Sequence, residues 1–77
     1  MNAIRIKIGT NTDRRNVVVA SNLSPKEVLI NNEIDFSTAT VHLDGATLSA
    51  TQMNQTLEEL GATDDSFLIA VVKMNNA

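Results

Sequence analysis

Seventy-seven residues with a net charge of −3 form one domain, near the size at which a single core supplies only about 3–5 kcal/mol of net stability. Hydrophobic residues make up 43%, with Phe36 and Phe67 the only aromatics, so the core has to be built from Ile, Val and Leu. The absence of cysteine excludes disulfide staples, thiolate catalysis, iron–sulfur clusters and Cys-ligated zinc, and an unstapled domain of this size suits a reducing, cytoplasmic setting. The acidic balance disfavours sequence-independent binding to nucleic acid.

The chain opens on Met1-Asn2-Ala3-Ile4-Arg5-Ile6-Lys7, which has no apolar stretch of the kind a secretory signal needs. Ile4, Ile6 and Ile8 alternate with Arg5 and Lys7, the period-2 pattern of a half-buried strand. Gly9-Thr10-Asn11-Thr12-Asp13 is a turn cluster, and Val17-Val18-Val19 is β-branched again. These residues predict a hairpin with a loop of about six residues.

Ser24-Pro25-Lys26-Glu27 predicts the start of a helix. Ser24 is the N-cap, Pro25 takes the first helical position, and Glu27 reaches back to close a capping box. Leu23 and Val28 complete a hydrophobic staple. The helix is expected from Pro25 to about Asn32, burying Val28, Leu29 and Ile30, with Asn31-Asn32 as terminators. Phe36 then leads into a strand, Thr40-Val41-His42-Leu43, and Asp44-Gly45 makes a tight turn before Ala46-Thr47-Leu48.

Ser49-Ala50-Thr51-Gln52 offers a second capping box. It opens a helix with Met53, Leu57 and Leu60 at i, i+4 and i+7, closed by Gly61 in a left-handed conformation. Thr63-Asp64-Asp65 is a turn, and Ser66 to Lys73 is the last strand. Its continuous apolar run marks a central strand. That run, Phe67 to Val72, is six residues, against roughly 18–20 for a membrane span, so no membrane insertion is expected.

Hairpin, helix, strand, tight turn, short helix and central strand, in that order, resemble the β-grasp of ubiquitin-like proteins. The local match is best in Leu43-Asp44-Gly45-Ala46-Thr47-Leu48, then Thr56-Leu57, then Ser66-Phe67-Leu68 and Val71-Val72-Lys73. The stretch between Leu48 and Thr56 is about three residues longer than in the ubiquitin pattern. Small stand-alone bacterial β-grasp proteins are similar as well. The resemblance implies an α+β fold: a mixed four- to five-stranded sheet around one main helix, plus a short second helix. It spans residues 1–74, with 75–77 as a short tail. Members that conjugate or carry sulfur end in Gly-Gly, where this sequence reads Asn75-Asn76-Ala77. The ferredoxin branch of the fold needs four cysteines, and none is present.

No cofactor, metal or catalytic centre is expected. His42 is the only imidazole, and no nucleophile or orienting carboxylate stands at a telling spacing from it. Glu58, Glu59, Asp64 and Asp65 lack the spacing of a calcium loop and read as a solvated face. Glu58 and Glu59, in the last turn of the second helix, also oppose its dipole. Gly9-Thr10-Asn11-Thr12 lacks the Gly-Lys-Ser/Thr of a phosphate loop. Arg5, Lys7, Arg14, Arg15 and Lys73 have no interleaved aromatics, which suits an acidic protein partner better than nucleic acid, and scattered solubilising charge accounts for them equally well.

The final strand carries the functional reading. Side-chain volume favours turning Phe67, Ile69 and Val71 to the helix. The ubiquitin pattern favours Leu68, Ala70 and Val72, a choice that also keeps Lys73 out. On the second assignment Ile69 and Val71 are exposed beside His42, Arg5 and Lys7, an apolar patch rimmed by cations. The expected function is non-enzymatic, non-covalent docking of a protein partner through Arg5, Lys7, His42, Ile69, Val71 and Lys73. The bland alternative is that the patch is small, or covered by self-association. A small modifier or sulfur-carrier-like protein is the second reading, and an accessory subunit of an enzyme the third.

Overall fold

Alternating isoleucines commit the first strand to two faces, and everything after it is built on that commitment. In a computed structural model, which describes residues 2–72, the elements are β1 (Ala3–Thr10), β2 (Arg14–Ala20), α1 (Pro25–Asn31), β3 (Ala39–Leu43), β4 (Ala46–Thr47), α2 (Ala50–Met53) and β5 (Phe67–Val72). They form one five-stranded sheet in the order β2-β1-β5-β3-β4. β1 and β5 run parallel, and the other pairs are antiparallel. β5 is therefore paired on both sides, as its unbroken apolar run requires.

The hairpin turns more tightly than expected. β2 starts at Arg14, so the loop is Asn11–Asp13. The Thr10 amide donates to the Asp13 carbonyl at 2.8 Å, and the Thr10 hydroxyl accepts from the amides of Thr12 and Asp13, each at 3.3 Å. Arg14, Arg15 and Asn16 hide the strand because they lack period-2 apolar residues. They sit on a sheet edge, where charged residues belong.

α1 begins as its sequence dictates. The Ser24 hydroxyl accepts from the Glu27 amide at 3.2 Å, and the Glu27 carboxylate accepts from the Ser24 amide at 3.1 Å. Pro25, Val28 and Leu29 are buried, whereas Ile30, expected inside, is 55% exposed. The far end closes in a Schellman arrangement: the Glu33 amide donates to Ile30 O at 3.0 Å and the Ile34 amide to Leu29 O at 2.9 Å. This puts Glu33 at φ 60, a conformation costing a non-glycine residue about 1–2 kcal/mol. Part of that cost returns as chain entropy when glycine is used. Glu33→Gly is therefore expected to stabilise the domain by about 0.5–1 kcal/mol, read as a higher urea midpoint. A lower midpoint would contradict the strain assigned to this residue.

The expected second helix divides in two. α2 keeps its capping box, with Ser49 Oγ 3.2 Å from the Gln52 amide, but it stops at Met53. A fresh box then forms. The Glu59 amide donates to Thr56 Oγ1 at 3.0 Å, and the Thr56 amide to Glu59 Oε1 at 2.9 Å. The turn it opens closes with Gly61 at φ 82, its amide on Glu58 O and that of Ala62 on Leu57 O. Backbone bonds from Leu57 to Leu23 (2.8 Å) and from Glu58 to Ser21 (3.0 Å) seat this turn, and Leu57 is fully buried. Glu59 thus stands near the start of a turn, where a carboxylate is favourable, rather than opposing a helix end.

Ile6, Ile8, Val28, Leu29, Val41, Leu43, Leu57, Leu68 and Ala70 form one core cluster, with Phe36, Leu23 and Ile34 packed against it. All of it lies on the side of the sheet that carries α1. No helix among the described residues is long and apolar enough to cross a membrane.

Candidate functional site: the open face of the sheet

Since opposed residues in a ladder share a face, the register fixes what the far side of the sheet presents. Arg5 stands opposite Val18, Lys7 opposite Asn16, and Gly9 opposite Arg14. Across the parallel pair, Lys7 meets Phe67 and Gly9 meets Ile69. Ile69 then meets His42, Val71 meets Thr40, and His42 meets Thr47. Arg14, Gly9, Ile69, His42 and Thr47 therefore make a single row across all five strands. Leu68 and Ala70 are fully buried on the opposite side, so β5 presents Phe67, Ile69 and Val71 to the open face.

The patch differs from the expected one. Ile69 is on the open face but only 4% exposed, a consequence of its place in the central strand between paired neighbours. Val71 is half-buried and His42 likewise. The large apolar side chains that this face exposes are Val18, at 67%, and Phe67, at 41%. Arg5 and Lys7 are exposed beside them, as is Arg14. Lys73, the last residue of the expected patch, lies outside the described residues. Val18 was hidden in a run of three valines, one of which must face away from its two neighbours. Phe67 is displaced from the interior by the same parity that buries Leu68.

The basic residues of the hairpin part company. Arg14 joins the open face. Arg15, opposite Ile8, is on the helix side, where its Nη2 donates to Asn32 O at 2.6 Å and answers the negative end of α1.

Acidic groups limit the open face at one end. The Arg5 amide donates to Asp64 Oδ1 at 2.9 Å and the Asp65 amide to Arg5 O at 2.8 Å. A shallow hollow there is lined by Ala3, Ile4, Arg5, Val18, Asp64 and Asp65. The surface is thus apolar at Val18 and Phe67, cationic at Arg5, Lys7 and Arg14, and acidic beyond Arg5. His42 Nδ1 lies 3.3 Å from Thr47 Oγ1, the neighbour its register gives it. No grouping of three His, Asp or Glu suited to a metal occurs among the described residues.

A cleft of about 610 Å³ lies elsewhere, between the hairpin tip and the end of α1. Two of its polar side chains serve local structure. Arg15 holds Asn32 O, and Asp35 Oδ1 accepts the Ser37 amide at 2.9 Å and the Ser37 hydroxyl at 2.7 Å. The amide bond, then the hydroxyl bond, holds the Asp35 carboxyl below its ordinary range. These contacts finish a helix end and a turn.

Asp44 ties the open face to the rest of the sheet. Its carboxylate accepts from Ser66 Oγ at 2.9 Å and from the Phe67 amide at 3.1 Å, while its own amide donates to Phe67 O at 2.9 Å. With φ 52 at Asp44 and 88 at Gly45, the turn has both central residues left-handed, as a two-residue hairpin needs.

The whole chain has counterparts among solved structures. It superposes on a ubiquitin of Caldiarchaeum subterraneum with a TM-score of 0.69 at 19% identity, over 99% of this chain and 100% of that one. The ubiquitin-like domain of yeast Ddi1 gives 0.75 at 16%, over 97% and 94%. A ubiquitin-like protein from Trypanosoma brucei gives 0.65 at 22%, over 94% and 96%. No protein-family model and no curated protein matches the sequence. The strand order, the parallel β1–β5 pair, the helix laid on one side and this superposition together give the chain the ubiquitin-like β-grasp fold, of α+β class.

Proposed function

We propose that the domain is a non-enzymatic docking module that binds a protein partner, without covalent attachment, through the open face of its sheet. The observation that carries this reading is the exposure of Val18 and Phe67 among Arg5, Lys7 and Arg14. Wet apolar area costs about 25 cal/mol per Å², and large apolar groups interleaved with cations are the composition of a recognition surface. The contact set is therefore Arg5, Lys7, Arg14, Val18, His42 and Phe67, with Ile69 and Val71 as the apolar floor. The cations favour a partner carrying carboxylates around an apolar anchor.

A modifier or sulfur carrier is the second reading. Within these 77 residues the three glycines, Gly9, Gly45 and Gly61, are never adjacent, which favours docking over acyl activation. Pull-down from the native host separates the two. The expected result is a set of free partners, held by the wild type and by Ile30→Asp on the outer side of α1, and lost with Phe67→Asp or Val18→Asp. Partners joined by an isopeptide bond in intact-mass analysis would support the modifier. Partners lost with Ile30→Asp and kept by the face variants would overturn the assignment of the surface.

A further inference from the structure

β2 ends the sheet, and among the described residues no strand pairs with its outer edge. Which backbone groups point outward follows from two bonds at the ends of the hairpin: Thr10 N to Asp13 O and Ser21 N to Asn2 O. With the register between them, Val19, Val17 and Arg15 make the hydrogen-bonded pairs with β1. Arg14, Asn16, Val18 and Ala20 therefore direct their amides and carbonyls away from the sheet, although Ala20 O is already taken by the Leu23 amide at 3.1 Å.

This edge carries few of the devices that block strand addition. It is seven residues long, holds three valines, and contains no proline, the only one being Pro25. Its two charges, Arg14 and Arg15, lie together at one end.

We propose that β2 pairs with β2 of a second copy, antiparallel about a two-fold axis through Val17. Parity dictates the register, because outward-pointing residues must meet outward-pointing residues. The register of greatest overlap sets Asn16 against Val18 of the other copy, Arg14 against Ala20, and Val17 against Val17. Each Asn16–Val18 pair supplies two inter-copy hydrogen bonds, and each Ala20 amide supplies one to an Arg14 carbonyl. No like charges are opposed. The arginine end of one copy instead comes to the end of the other where Asp64 and Asp65 lie beside Arg5 and Val18.

The pair is one ten-stranded sheet with both α1 helices on one side. Both open faces look the same way, so the dimer offers two adjacent copies of that surface. This proposal concerns the edge and stands whether or not the face binds a partner. A single strand contact falls below the ~1,200 Å² of stable interfaces, so the dimer is expected to form reversibly toward millimolar concentration.

The native chain has no cysteine, which permits a test of register. In the proposed dimer Val17 meets its own copy as a non-hydrogen-bonded pair, with Cα atoms about 4.5 Å apart, inside the 4.4–6.8 Å range of disulfides. Val17→Cys is expected to cross-link under mild oxidation. Val19→Cys, on the same side but facing Arg15 of the other copy, is expected to remain monomeric. Adding Val18→Pro, which removes an outward amide and no bond to β1, should abolish the Val17→Cys cross-link.

In the unmodified protein, the rotational correlation time from NMR relaxation should about double as concentration rises toward ~1 mM. The outward amides of Asn16 and Val18 should gain exchange protection over the same range. Equal cross-linking of both cysteine variants would overturn the register. A correlation time that stays monomeric, with Asn16 and Val18 protected only when an added peptide is present, would overturn the second copy as occupant.

Discussion

Leu68→Asp is expected to leave the domain unfolded. Leu68 is fully buried, opposite Ile8 on β1 and Leu43 on β3, and its neighbours in the core cluster are all apolar. A carboxylate there meets no partner, so it must be protonated or expose the core to water, at several kcal/mol either way. A domain of this size has only about 3–5 kcal/mol to lose.

The next residue along the strand gives a graded contrast. Ile69→Asp is expected to destabilise, because Ile69 is 4% exposed, but to a smaller extent, since its side chain stands on the face that solvent reaches. Phe67→Asp and Val18→Asp should leave the unfolding free energy within about 1 kcal/mol of wild type, as surface substitutions usually do. A folded Leu68→Asp beside an unfolded Phe67→Asp would invert the two faces of β5.

Gly9→Ala is the second large effect. A Cβ on Gly9 would lie 1.9 Å from Asp13 O, 2.8 Å from Arg14 Cα and 2.9 Å from Asp13 C, all backbone atoms. The clash cannot be relieved by a side-chain rotation. Relief requires opening the Thr10–Asp13 hydrogen bond or moving β2 away from β1, and forced backbone shifts of this kind cost about 1–3 kcal/mol or more.

Gly61→Ala is the control. Gly61 has φ +82 and nothing within 4 Å of its added Cβ, so only the conformational cost of about 1–2 kcal/mol applies. Gly9→Ala should therefore lower the urea midpoint more than Gly61→Ala does. Equal losses would mean the hairpin tip yields without cost and the close approach at Gly9 is not a constraint.

What the sequence made legible follows from how local each signal is. Ser24, Pro25 and Glu27 carry the start of α1 in four consecutive residues, and the Asp44-Gly45 turn and the Gly61 stop are just as local. The alternation of Ile4, Ile6 and Ile8 committed β1, and the register then carried parity to every other strand. The spacing of Met53, Leu57 and Leu60 mimics one continuous helix, whereas α2 ends at Met53 and a separate turn begins at Thr56. Apolar spacing alone does not report a second cap at Thr56 and Glu59, nor the backbone bonds to Ser21 and Leu23 that seat Leu57.

The candidate site was legible in its face and less so in its residues. Charge and parity brought Arg5, Lys7 and His42 to one side, and β5 does turn Ile69 and Val71 toward it. Exposure depends on neighbours across three strands, which no short window of sequence contains. The centre of the sheet therefore covers Ile69, while Val18 at the edge and Phe67 at the strand end stand open.

Amide chemical-shift mapping tests the docking surface most directly. A partner recovered from the host would be titrated into isotope-labelled domain under conditions that keep both proteins native. The expected perturbations concentrate on β1, β5 and the facing residues of β2 and β3, largest around Val18, Lys7, Phe67 and His42, and Phe67→Asp removes them without changing the fold. Perturbations confined to α1 and the turn at Leu57–Gly61, with the open face silent, would contradict docking through the sheet.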